Sequence, residues 1–209
     1  MIPNPLWREF KFNRSQDVER WTKSCSDKLF YDFWTETIDP TWLPWLAKAG
    51  GATDKQLVPP ACAVGRLCLP LIPEVEERPR IALEIIEVWL KGDISDAQLE
   101  EAENLSRAAY DSYHSNAFFP VPSVPYDYIV PYDYILSAAY FTIFTASSVA
   151  TGSRMGASGN FAASIRSAYG AGIESQVLCA TIRKHLPFEP PPKPKGLTLW
   201  QHLAKEEED

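Results

Sequence analysis

Cysteine and histidine are both scarce. Four cysteines (Cys25, Cys62, Cys68, Cys179) and three histidines (His114, His185, His202) are scattered over 209 residues. None falls in a CxxC pair or at zinc-ligand spacing, which argues against a disulfide framework and against a zinc centre. The cysteines read as free, mostly buried thiols that pack as small apolar residues, and no metal or other cofactor is expected. Basic charge is short as well. Twenty Lys and Arg face 27 Asp and Glu, a net charge of −7. A nucleic-acid binder needs a basic face to displace counterions from phosphates, so that class is disfavoured. The N-terminus, Met1-Ile2-Pro3-Asn4-Pro5-Leu6-Trp7-Arg8-Glu9, lacks the basic start and apolar core of a secretory signal. A cytoplasmic location is the expectation. Alternating runs of strand length are missing too, and the fold class this predicts is all-α.

Hydrophobic residues make up 45% of the chain and charged residues 22%, ordinary values for a globular domain of this size. The helical pattern is clear. Ser15 caps a predicted helix over 15–35 whose stripe is Val18, Trp21, Cys25, Leu29 and Phe33. A short aromatic piece, Trp42-Leu43-Pro44-Trp45-Leu46, follows. Pro59-Pro60 reads as the opening of the next helix, with Cys62, Ala63, Leu67 and Leu71 at helical spacing until Pro70 and Pro73. Arg78-Pro79-Arg80 starts a strong helix that Gly92 stops. Ser95-Asp96-Ala97-Gln98 is a capping-box pattern, and Leu99, Ala102, Leu105, Ala109 and Tyr113 step along one face to about Asn116.

Residues 117–132 form a proline-broken loop with a tandem hexapeptide, Val124–Ile129 and Val130–Ile135. The second copy leads into a helix without charge. Between Asp133 and Arg154 there are 20 uncharged residues, long enough to cross a bilayer. Seven of them are Ser or Thr, which makes a poor insertion segment and a good central helix of a bundle. No membrane contact is expected. A last long helix begins near Ser158–Asn160, with Phe161, Ile165, Ala168, Tyr169, Ile173 and Val177 as its stripe and Arg183-Lys184-His185 at its end. A polyproline-type arm and an acidic tail occupy 188–209. The expected architecture is one helical domain over 1–187, a bundle of about six helices, with that arm appended.

Charge is distributed unevenly. Residues 74–111 carry 11 acids and four bases, so this segment alone holds −7, while the other 16 acids and 16 bases cancel. Acids on two consecutive helices can steer a basic partner; they can equally be a solvated face that maintains solubility. The candidate partner-binding residues are Glu76, Glu77, Glu84, Glu87, Glu100, Glu101 and Glu103. Trp42, Trp45, Tyr126, Tyr128, Tyr132 and Tyr134, in or beside loops, are candidate anchors. Catalytic material is thin: His114 with Asp111, Tyr110 and Arg154 would make a polar pocket if a cleft formed there. Ser153–Gly159 precedes a helix but lacks the Gly-Lys-Ser/Thr ending of a phosphate loop.

Ala61-Cys62-Ala63, Leu69-Pro70-Leu71, Glu77-Arg78-Pro79-Arg80-Ile81-Ala82-Leu83-Glu84 and Trp89-Leu90-Lys91-Gly92-Asp93-Ile94 together resemble an immunity protein family of bacterial polymorphic-toxin systems. The resemblance covers roughly residues 60–115. That family shows a Cys-Ala helix, a Leu-Pro-Leu turn, an Arg-Pro-Arg helix start and a Trp-x-x-Gly ending. Its later helices are rich in Ala and His, where this chain has Ser, Tyr and Phe. The resemblance implies a small cytoplasmic bacterial protein that binds and blocks a cognate toxin domain without catalysis of its own. The readings from other classes are a small enzyme with the pocket near His114, and a scaffold subunit that self-associates through the aromatic loops.

Overall fold

The computed structural model describes residues 34–49, 51–115, 129–152 and 156–186. The chain divides into two units, Ile38–Phe188 and Met1–Thr37 with Glu189–Asp209. Of the second, the described residues are 34–37, and 34–36 are helical. The rest of the helix expected over 15–35, the tandem hexapeptide up to Tyr128, and the proline arm lie outside the described residues.

The fold is all-α, with no strand among the described residues. A 3-10 turn, Pro40–Trp42, leads into α1 (Leu43–Ala49). Then come α2 (Asp54–Cys68), a second 3-10 turn (Leu69–Leu71), α3 (Arg78–Lys91), α4 (Asp96–Ser115), α5 (Ile129–Thr151), α6 (Gly156–Gly170) and α7 (Ser175–His185). Helices α2 and α5 form the centre. Helix α5 packs on α2, α3, α4 and most extensively on α6, while α2 also meets α1, α3, α6 and α7.

The core follows from helical spacing. Ala82, Leu83, Ile86 and Trp89 recur three or four apart on α3 and are buried, and Leu99 and Ala102 do the same on α4. They join Val58 and Cys62 of α2 and Ile143 and Ala146 of α5 in one cluster. Each large aliphatic side chain buried this way contributes about 1.5–3 kcal/mol before entropic costs. The uncharged helix is the bundle's core helix: 56% of its Tyr134–Thr151 window is buried. The hydroxyls of Thr142, Thr145, Ser147, Ser148 and Thr151 are bonded inside the protein. Thr142 Oγ1 donates to Ala138 O at 2.9 Å and lies 2.8 Å from Ser164 Oγ of α6; Ser164 Oγ lies 2.9 Å from that same carbonyl.

Three expectations are corrected. The loop expected over 117–132 is helical from Ile129, where α5 begins with Pro131 inside its first turn, which needs no N–H donor there. Helix α2 begins at Asp54, five residues before Pro59. Thr53 caps it: Gln56 N–H donates to Thr53 Oγ1 at 3.3 Å, and Thr53 N–H donates to Gln56 Oε1 at 2.8 Å. This reciprocal box starts the helix and leaves the two prolines inside it. The last long helix is two helices. Gly172 adopts φ 95°; its N–H reaches Tyr169 O at 3.0 Å and Ile173 N–H reaches Ala168 O at 3.1 Å, the paired bonds of a Schellman stop. The expected stripe fails on both sides of that stop, with Tyr169 at the end of α6 60% exposed and Val177 beyond it 42% exposed. With the break, seven α-helices are described where about six were expected.

A candidate protein-docking face on α3 and α4

Helices α3 and α4 pack side by side, joined by the turn at Gly92. Gly92 takes φ 85° and its N–H donates to Trp89 O at 2.9 Å, which ends α3 where the sequence predicted. Ser95 starts α4: its N–H donates to Gln98 Oε1 at 3.0 Å, half of the expected capping box. With Leu99, Ala102, Ser106 and Ala109 buried on one side of α4, the outer side of the pair faces solvent. The seven candidate acids divide there into two groups.

Glu76, Glu87 and Glu103 are committed internally. Glu76 accepts from Arg78 Nε at 2.7 Å and from a second guanidinium nitrogen, and Arg78 reaches on to Ser112 Oγ of α4 at 3.1 Å. The Arg78 hydrogen bonds hold the Glu76 carboxyl below its usual pKa, against the opposing pull of burial. Glu87 receives both arms of Arg66 from α2, Nε at 2.5 Å and the terminal nitrogen at 2.7 Å. Hydrogen bonding to Glu87 raises the Arg66 pKa. Glu103, expected on the outer face, stands at the edge of the packed one. It pairs with Arg107 at 2.5 Å and accepts a hydrogen bond from Ser147 of α5.

Glu77, Glu84, Glu100 and Glu101 are exposed and form no ion pair among the described residues. Glu84 and Glu101, one from each helix, line an open groove with Ile81, Ile85, Val88, Ile94 and Gln98. Ile85 and Ile94 are half-buried and rest on the core cluster, which makes the groove floor part of the rigid bundle. Ile81 is 39% exposed. The groove itself was not legible in the sequence. Its signal was weak: Ile81, Ile85 and Val88 fall on the α3 face next to the buried stripe.

The other candidates are placed as follows. Trp42 is half-buried and its indole N–H donates to Asp39 Oδ2 at 2.9 Å, so it helps cap the first turn. Trp45 is half-buried and Tyr134 is 41% exposed; Tyr126 and Tyr128, and the side chain of Tyr132, lie outside the described residues. Tyr110 stacks on Tyr140 of α5 with ring centroids 5.1 Å apart. Asp111 is exposed, and the side chain of His114 and all of Arg154 lie outside the described residues. No group of three or more His, Cys, Asp or Glu is placed to hold a metal ion among the described residues. Cys62, Cys68 and Cys179 are buried thiols. Burial pushes the Cys62 and Cys68 thiols up to about 12, which suits packing rather than nucleophilic chemistry.

Comparison with known protein families, with curated proteins and with solved structures finds no match to this chain.

Proposed function

We propose that this chain is a non-catalytic binding protein, an immunity protein that neutralises a cognate bacterial toxin domain in the cytoplasm through the acidic face of α3 and α4. The observation that supports this most is the division among the acids. Three of the seven candidates are tied into the bundle, and four stand exposed without an ion pair among the described residues: Glu77 at the N-cap of α3, Glu84 on α3, and Glu100 and Glu101 on α4. Carboxylates outside any ion pair suit electrostatic steering of a basic partner, although Glu84 also feels the Arg66 guanidinium of α2. The sequence resemblance over residues 60–115 covers these same two helices.

The test has two stages. The chain is immobilised, exposed to lysate of its native host, and washed at low and then high salt, with mass spectrometry of each fraction. The captured protein is then expressed alone and together with this chain. A toxin-like protein that leaves as salt rises, and whose growth inhibition is relieved by co-expression, supports the reading. Capture of nothing specific at either salt, or undiminished growth inhibition, overturns it.

A further inference from the structure

The groove between α3 and α4 has a geometry that the acidic face as a whole does not. Its volume is about 240 Å³ and it is open to solvent, below the roughly 300–1,000 Å³ of sites that enclose small molecules. Its floor and one wall are aliphatic: Ile85, Val88 and Ile94 half-buried, with Ile81 beside them. Its polar lining is Gln98 and the two carboxylates of Glu84 and Glu101. An apolar seat bordered by negative charge from both helices is complementary to one kind of protein segment. That segment presents an aliphatic side chain with Lys or Arg on either side of it, the pattern of a basic amphipathic helix.

We infer that the Ile81–Glu84–Ile85–Val88–Ile94–Gln98–Glu101 groove seats an aliphatic anchor of the partner's basic amphipathic helix, with Glu84 and Glu101 holding the flanking cations. This rests on the protein-binding reading above and assigns its centre. Glu77 and Glu100 then contribute to approach, while Glu84 and Glu101 contribute to the seated complex.

The probe is a fluorescein-labelled synthetic helix with Leu on one face and Lys on the other, titrated against the full chain and followed by anisotropy. Two companion helices carry Glu for Lys, or Gln for Leu. The Leu/Lys helix binds the wild-type chain, and the companions bind at least about tenfold more weakly. Glu84→Gln with Glu101→Gln weakens binding by about tenfold, as expected for two partly exposed charge pairs. Ile81→Gln weakens it by a similar factor without touching the core. Glu74→Gln with Glu174→Gln removes the same charge outside the groove and changes binding by less than about twofold.

No binding of the Leu/Lys helix, equal losses from the two double variants, or an Ile81→Gln variant that binds like wild type overturns the groove assignment. Equal losses would mean that the helix responds to net charge rather than to the groove. Toxin neutralisation is decided separately by the co-expression result.

Discussion

Between α5 and α6 the polar groups are hydroxyls and one carboxamide turned inward. Thr142 and Ser164 share the Ala138 carbonyl, and Asn160 Nδ2 donates to Ser148 Oγ at 2.6 Å and to Phe144 O at 3.3 Å. Across α3 and α4 most carboxylates turn outward; Glu76 and Glu103 find a cation two and four residues along the chain, and Glu87 finds one on α2. The first pair of helices uses small polar side chains to let backbones approach: Thr142, Ser164 and Asn160 are fully buried. The second buries Leu83, Ile86, Trp89 and Leu99 in the core and leaves Glu84, Glu100 and Glu101 exposed. Polar content alone does not distinguish these uses. Side-chain length does, because a hydroxyl can return to its own helix carbonyl while a carboxylate must find a donor elsewhere.

The sharpest break of this contrast is Phe161→Ala. Phe161 is the largest fully buried side chain of the described core and sits on α6 among small residues. Its truncation leaves a cavity that Ala and Ser neighbours cannot fill, at a cost of about 3–5 kcal/mol. The urea midpoint should fall accordingly with an unchanged slope. Next is Gly65→Val, which forces α2 away from α5. A Cβ on Gly65 would stand 3.1 Å from Thr142 Oγ1 and 3.2 Å from Leu83 Cδ2. The branched side chain should cost about 1–3 kcal/mol, read in the same denaturation series.

A smaller effect tests the carboxylates that are tied down. The pKa of Glu76 is lower in the folded chain than in the unfolded one because of Arg78. Its contribution is therefore complete above the unfolded carboxylate value of about 4.3 and is lost as pH falls through the depressed folded value. Glu76→Gln should flatten the acid side of the stability curve below about pH 5, where the unfolded carboxylate begins to take up its proton. The difference should stay below about 1 kcal/mol, because Arg78 is 34% exposed and water screens the pair. Wild-type acid sensitivity in this variant would show that the pair is not responsible. Smallest of all, Glu100→Gln with Glu101→Gln should move stability by less than about 0.5 kcal/mol. A large loss of stability would mean that these carboxylates support the bundle rather than await a partner.

The same contrast explains what was legible in the sequence. The all-α class, the α3 stop at Gly92 and the inward hydroxyls of α5 were readable, because spacing, turn chemistry and composition are local properties. The start of α2 was readable in principle in Thr53-Asp54-Lys55-Gln56, but Pro59-Pro60 looked like a stronger opening. The Gly172 stop hid because Ile173 and Val177 continued the apolar period of α6 across it. The acidic segment was visible as charge. Glu76–Arg78 and Glu103–Arg107 are local pairs, two and four residues apart; not visible were the contacts from Arg66, 21 residues from Glu87, and from Ser147, 44 residues from Glu103. Those pairings exist only after the helices have packed.

Pro59 and Pro60 have one further consequence. Neither can donate an N–H to the carbonyl one turn back, at Lys55 and Gln56, so the hydrogen-bond ladder of α2 is interrupted for two rungs. The first turn is held by the Thr53–Gln56 box and by the Lys55 ammonium 5.3 Å from the Trp89 ring centroid. Helix α2 should then exchange its amide hydrogens in two populations. The start at Asp54–Gln56, exposed at Asp54 and Lys55, would open and reclose by itself on a fast timescale. The amides of Leu57 and Val58, whose side chains are buried, and those from Ala61 to Cys68 would exchange only when the bundle as a whole unfolds.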